Sequence, residues 1–164
     1  MTIRPAEPRD CQTICDLIYE LAVYERLAEK AIATAGDIER DLFGPNPVIR
    51  VLIAEEGSQV FGFALFFRSY STFLGRPGIY LEDLYVHESD RGRGIGKALL
   101  SAVAQVAADE GAGRLEWAVL DWNQSAIGFY KKLGAEFMDG WTTCRLESDG
   151  IRALAGMGSG HQQT

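Results

Sequence analysis

The chain has 164 residues, 47% hydrophobic and 24% charged, enough for one globular domain with a buried core. Its formal net charge of −7 argues against general nucleic-acid binding, which rests on neutralising phosphates with Lys and Arg, and suits a cationic ligand. No window approaches 18 uninterrupted apolar residues, so neither a membrane-spanning helix nor a membrane partner is expected.

The opening residues, Met1 to Pro5, lack a basic stretch followed by an apolar one, and a cytoplasmic location is expected. Ile3 to Ala6 reads as a short first strand. From Asp10, a plausible N-cap, the apolar residues Ile14, Leu17, Ile18, Leu21 and Ala22 recur at three and four, which predicts an amphipathic helix to about Leu27. Cys11 and Cys15 share a face of it, but no His is nearby, so reduced thiols and no metal site are expected. A second helix is predicted over 35–42, ahead of Gly44, Pro45 and Pro47.

Strands are predicted over 48–55, 60–70 and 78–86. The turn chemistry between them, Glu56-Gly57-Ser58 and Gly75-Arg76-Pro77-Gly78, favours antiparallel hairpins. A helix follows over 94–110, then a strand over 115–120, a helix over 124–133 and a last strand over 141–147. This order predicts an α/β (α+β) domain with a mixed, mainly antiparallel central sheet and helices on both faces. The single domain is expected to span 1–147. Residues 148–164 would be a short C-terminal segment, with 156–164 as a disordered tail.

The most informative segment is Tyr85-Val86-His87-Glu88-Ser89-Asp90-Arg91-Gly92-Arg93-Gly94-Ile95-Gly96-Lys97. A strand enters a glycine-rich turn that opens a helix, so backbone N–H groups converge at a positive helix end suited to a pyrophosphate. Arg91, Arg93 and Lys97 add local positive charge to an acidic chain. A Walker loop would need glycine where Arg91 stands and Ser or Thr where Ala98 stands. A dinucleotide fingerprint would need glycine in place of Lys97. Kinase and dehydrogenase readings fail on that spacing.

Arg91-x-x-Gly94-x-Gly96 resembles the acetyl-CoA pyrophosphate motif of the GNAT acetyltransferase superfamily, and the order of elements agrees over about residues 2–147. Tyr70-Ser71-Thr72, Tyr80-Leu81-Glu82-Asp83 and Ala118-Val119-Leu120-Asp121-Trp122-Asn123-Gln124 are similar to the spermidine/spermine acetyltransferase group, and within it to its thialysine N-acetyltransferase branch. The resemblance implies a GNAT-like fold, acetyl-CoA as co-substrate, a small-molecule amine as acceptor and a homodimer. For the cofactor it implies the loop Arg91, Gly92, Arg93, Gly94, Ile95, Gly96 and Lys97, the strand backbone at Leu84, Tyr85 and Val86, and Asn123, Ser125 and Tyr130.

Acetyl transfer must deprotonate an ammonium, hold the amine against a thioester carbonyl and protonate a leaving thiolate. Glu82, in the strand before the loop, is the best candidate base, acting through a water as the resemblance implies. Strict alternation groups Tyr80, Glu82, Leu84 and Val86 on one face, with Leu81, Asp83 and Tyr85 on the other. Only a β-bulge would let both Glu82 and Asp83 reach the substrate, and the resemblance implies one. It also assigns Tyr130 as the acid; the adjacent Phe129 is expected to be the packing residue. Asn123 fits an N-cap of its helix equally well.

Tyr24, Glu25, Glu82 and Asp83 are the candidate acceptor contacts, Glu25 being equally suited to a helix ion pair. The polyamine-acetylating relatives carry Asp where this chain has Ser71, which favours a lysine-like acceptor such as thialysine over a polyamine. A protein lysine or N-terminus is a third acceptor class. The alternative of a CoA-binding interaction module without catalysis needs neither Glu82 nor Tyr130.

Overall fold

The computed structural model describes residues 1–158. They fall into two compact units, Met1–Trp122 and a second that begins at Asn123. The first holds β1 (Thr2–Pro5), α1 (Cys11–Tyr24), α2 (Ala35–Phe43), β2 (Arg50–Glu56), β3 (Gln59–Ser71), β4 (Arg76–Val86), α3 (Ile95–Asp109) and β5 (Leu115–Glu116). The second holds α4 (Gln124–Lys132) and α5 (Ser148–Gly158).

The sheet runs in the order β1-β2-β3-β4-β5. The first four strands are antiparallel neighbours and β5 lies parallel to β4, so the sheet is mixed and mainly antiparallel as expected. The hairpin turns reverse at Gly57 and Gly75, both at φ 61°, where a side chain would be strained. α1 and α2 bring Cys11, Ile14, Leu17 and Ile38 onto Val51, Ile53, Phe63, Leu65 and Tyr85. Alternation turns Leu52, Ala64 and Phe66 to the opposite face. α3 packs on β2, β3 and β4, with Ile95, Leu99 and Val103 buried. Each such aliphatic or Phe side chain contributes about 1.5–3 kcal/mol relative to exposure.

Asp10 precedes α1 as predicted, but its carboxylate does not cap the helix. It accepts two bonds from Arg4 at 2.6 and 3.0 Å and one from the Glu7 amide at 2.7 Å. α2 carries a capping box between Thr34 and Asp37. α1 ends at Tyr24 rather than Leu27, because Arg26 has φ 63° and cannot continue it.

The later strands depart from expectation. The strand predicted over 115–120 is regular only at Leu115–Glu116, and residues 141–147 form no regular strand. Their alternation is a strand pattern, but a strand exists only with a partner ladder, and Trp141 and Leu146 are exposed. Residues 156–158, expected in a disordered tail, belong to α5, whose exposed first turns hold an Asp149–Arg152 ion pair. Residues 159–164 lie outside the described residues.

Candidate active site

The site is built around an irregularity in β4. Phe66 pairs with Leu81 and Leu65 with Asp83, so Glu82 has no partner on β3. This extra residue is a β-bulge, and it resets the alternation. The grouping read from the sequence is corrected accordingly. Leu81 follows Phe66 to the α3 face, whereas Asp83 follows Leu65 to the face covered by α1. Tyr80 also belongs to that face, stacked on Phe67 at 5.3 Å.

Glu82 is exposed and Asp83 half-buried. Burial, with the negative charges of Glu82 and Glu25 added, pushes the Asp83 carboxyl up to about 7. Burial also raises Glu25, the residue that closes α1. Two elements distant in sequence thus bring three carboxylates into electrostatic contact. Negative charges so placed disfavour ionisation of all three at once.

The same stretch of β4 has an open side. β5 pairs only with Ile79 and Tyr80. From Leu81 to Val86, β3 is the only strand alongside β4 among the described residues. The backbone of Leu84, Tyr85 and Val86 therefore lies on an edge that an extended chain can join.

Beyond β4 a 3-10 turn over Glu88–Asp90 leads to the glycine loop. Gly92 and Gly94 have φ 79° and 82°, a conformation that explains glycine at both positions. Gly94 is the N-cap of α3, and no side chain caps the helix. The first turn of a 15-residue helix therefore presents its amides at the loop. Lys97 is exposed beside it. These groups fit a pyrophosphate, so the chain's own residues suit the cofactor expected there.

The two arginines of the loop are already engaged. Arg93 pairs with Asp90 and lies over the Phe61 ring. Arg91 donates through Nε to the Val86 carbonyl at 3.1 Å. Its guanidinium lies 4.3 Å from the Tyr24 ring centre and 5.6 Å from that of Tyr85. Tyr24, assigned to the acceptor, and Arg91, assigned to the cofactor, therefore touch.

Two neighbours were given no role from the sequence. Glu20 accepts from the Tyr85 hydroxyl at 3.2 Å and contacts His87 Nδ1 at 2.7 Å. Its position four before Tyr24, on one helix face, was the available signal. Trp122, inside a motif already singled out, lies 6.0 Å from Tyr24, ring to ring.

In the second unit, Asn123 is the N-cap of α4, its Oδ1 accepting from the Ala126 amide at 3.1 Å. Ser125 is exposed in the first turn. Tyr130 is buried and Phe129 half-buried, which reverses the expected division in which Phe129 packs. Their rings lie 5.2 Å apart.

The Acetyltransferase (GNAT) family matches residues 13–135. The chain belongs to the GNAT acetyltransferase family. It is 41% identical to a thialysine N-epsilon-acetyltransferase of Sus scrofa, over 94% of this chain and 96% of that protein. It is 33% identical to an L-ornithine N5-acetyltransferase of Arabidopsis thaliana, over 93% and 86%. An integron cassette protein from the mobile metagenome of V. cholerae has a similar fold, with a TM-score of 0.78 and 28% identity over 94% of this chain and 96% of that one. The protein is accordingly an N-acetyltransferase, and acetyl-CoA follows from the family as its co-substrate.

Proposed function

We propose that this acetyltransferase modifies the side-chain amine of a small, lysine-like acceptor, with thialysine, lysine and ornithine as the candidate class. The observation that carries this reading is the bulge at Glu82. It sets Asp83 on the α1 face within electrostatic reach of Glu25, beside an open strand edge. The names of the relatives in Sus scrofa and Arabidopsis thaliana support the same acceptor class.

Acetyl-CoA supplies the thioester when bound. The amides at the start of α3, with Lys97, hold its pyrophosphate. The open edge at Leu84, Tyr85 and Val86 would hold its arm, and a backbone amide there would polarise the thioester oxygen. Glu25, Glu82 and Asp83 hold the acceptor's ammonium. Glu82 takes one proton from that nitrogen through a water, leaving a neutral nucleophile. The nitrogen would bond to the thioester carbon as the carbon–sulfur bond breaks. The Tyr130 hydroxyl would give a proton to the sulfur, and the proton then shed by the nitrogen would restore the phenol through water. The same reading takes the protein to be a cytoplasmic homodimer.

The test is CoA release from purified protein given acetyl-CoA and, separately, thialysine, L-lysine, L-ornithine, spermidine, diamines and a lysine peptide. Release with the amino acids well above spermidine, diamines and the peptide is the expected result. Release only with the peptide would replace this reading with protein acetylation. Binding of acetyl-CoA without release from any amine would favour the non-catalytic alternative.

A further inference from the structure

Arg26 is the one described non-glycine residue with a positive φ, at 63°. It follows Glu25 in a wrapped helix ending. The Leu27 amide donates to the Ala22 carbonyl at 2.8 Å and the Arg26 amide to that of Val23 at 3.1 Å. Glycine is the usual residue at this position, because it alone enters the left-handed region without strain. A strained backbone held by a large side chain points from conformation towards use.

The Arg26 side chain is not spent on an ion pair. Among the described residues no carboxylate lies within salt-bridge distance of it. Its guanidinium lies 5.0 Å from the Trp122 ring centre, and Trp122 packs near Tyr24. An aromatic face fixes the plane of a guanidinium and leaves its N–H edges outward, the arrangement that grips a carboxylate through two parallel bonds.

Its chain neighbour, Glu25, belongs to the carboxylate cluster with Asp83 and Glu82. Adjacent Cα atoms are about 3.8 Å apart, so a cation with no ion-pair partner among the described residues follows directly on a residue of the acidic cluster. A diamine would bring a second positive charge towards Arg26. An amino acid with a side-chain amine would bring its ammonium to the acids and its carboxylate to Arg26.

We infer that Arg26 is a specificity-determining residue that binds the α-carboxylate of the acceptor, selecting amino acids over diamines and polyamines. This rests on the acceptor class given under Proposed function and adds the group that enforces it.

The experiment measures kcat and KM with L-lysine and L-ornithine, their methyl esters, and cadaverine and putrescine, for the natural protein and for Arg26→Gly, Arg26→Gln and Arg26→Lys. The ester keeps the amine and removes only the negative charge. Arg26→Gly is expected to raise KM for the free amino acids by about 10–100-fold, the value of a lost charge-assisted contact. KM for the esters should move less than about two-fold by the same reasoning, and the melting temperature should hold or rise as the strain is relieved. Arg26→Gln should repeat the KM pattern without the gain in stability, and serves if the glycine variant does not fold. Arg26→Lys should restore part of the discrimination.

Equal loss with acid and ester would make Arg26 merely structural and overturn the inference. So would unchanged discrimination in Arg26→Gly and Arg26→Gln. If the natural protein acetylates none of these amines, the acceptor class fails and Arg26 with it. If it acetylates the amino acids but the variants discriminate as before, only the role of Arg26 is lost.

Discussion

The guanidinium of Arg91 lies 4.3 Å from the centre of the Tyr24 ring. Arg91 belongs to the glycine loop, and Tyr24 is the last residue of α1, just before Glu25. On the proposed assignment of Arg91 to the cofactor and Tyr24 to the acceptor, the two ends of the reaction share this contact. A cation over an aromatic face contributes about 0.5–2 kcal/mol, depending on how dry it is. Tyr24→Leu should weaken acetyl-CoA binding by about two- to thirty-fold on that estimate, and Tyr24→Phe far less. Calorimetric titration with acetyl-CoA checks this. Equal affinity in Tyr24→Leu would show that the contact does not hold the loop.

Asp83 makes stability depend on pH with a defined sign. Its folded carboxyl titrates at about 7, above the ordinary 3.8. The folded protein therefore holds a proton that the unfolded chain releases. The associated stability is fully present below about pH 3.8 and is lost as pH rises through 7. Asp83→Asn removes that loss. Compared with the natural protein, it should melt a few degrees higher at pH 8, on the scale of about 4–8 °C per kcal/mol for a small domain. The advantage should shrink towards pH 5. Thermal scans at both pH values decide it, and a constant offset would place the cause elsewhere.

Much of the fold is legible in the sequence because hydrophobic period and turn glycines are local signals. Gly57 and Gly75 fix the two hairpins, and Ile14, Leu17, Ile95, Leu99 and Val103 mark the buried helix faces. Register is not local. Whether Leu81 or Glu82 faces Phe66 depends on pairing with β3, so strict alternation misplaces Tyr80, Leu81 and Asp83. Residues 141–147 fail for a related reason, since alternation shows the capacity for a strand but not the partner. The glycine loop, by contrast, is readable by itself, because Gly92 and Gly94 are demanded by their own backbone angles.

Glu82 and Tyr130 are both open to kinetic test. Glu82→Gln should reduce kcat by about 10²–10⁴-fold, the range for a positioned base, while KM for acetyl-CoA changes little. Tyr130→Phe should lower kcat by a similar factor on the same estimate, while acetyl-CoA affinity changes little. Single-turnover rates and titration with acetyl-CoA check both. A natural rate in Glu82→Gln would remove it as the base. Equal losses of rate and affinity in Tyr130→Phe would remove it as the acid.

Gly62 tests how tightly the bulged strand is held. It pairs with Val86, and a Cβ there would stand 2.2 Å from the Tyr85 carbonyl oxygen and 2.9 Å from the Val86 Cα. Both are backbone atoms, so a clash can be relieved only by pushing β3 and β4 apart. That movement would shift the edge at Leu84 to Val86, while the glycine loop starts five residues after Val86 and can keep its own geometry. Gly62→Ala should therefore destabilise the protein by about 2 kcal/mol or more, at the severe end for a single methyl group. It should also raise KM for acetyl-CoA by a larger factor than it raises the inhibition constant of adenosine 3′-phosphate 5′-diphosphate, the fragment that carries the pyrophosphate without the pantetheine arm. Denaturant unfolding gives the first quantity and competition kinetics the second. A variant with natural stability would mean that β3 and β4 separate at little cost, and the edge would then be a poor candidate for a fixed cofactor seat.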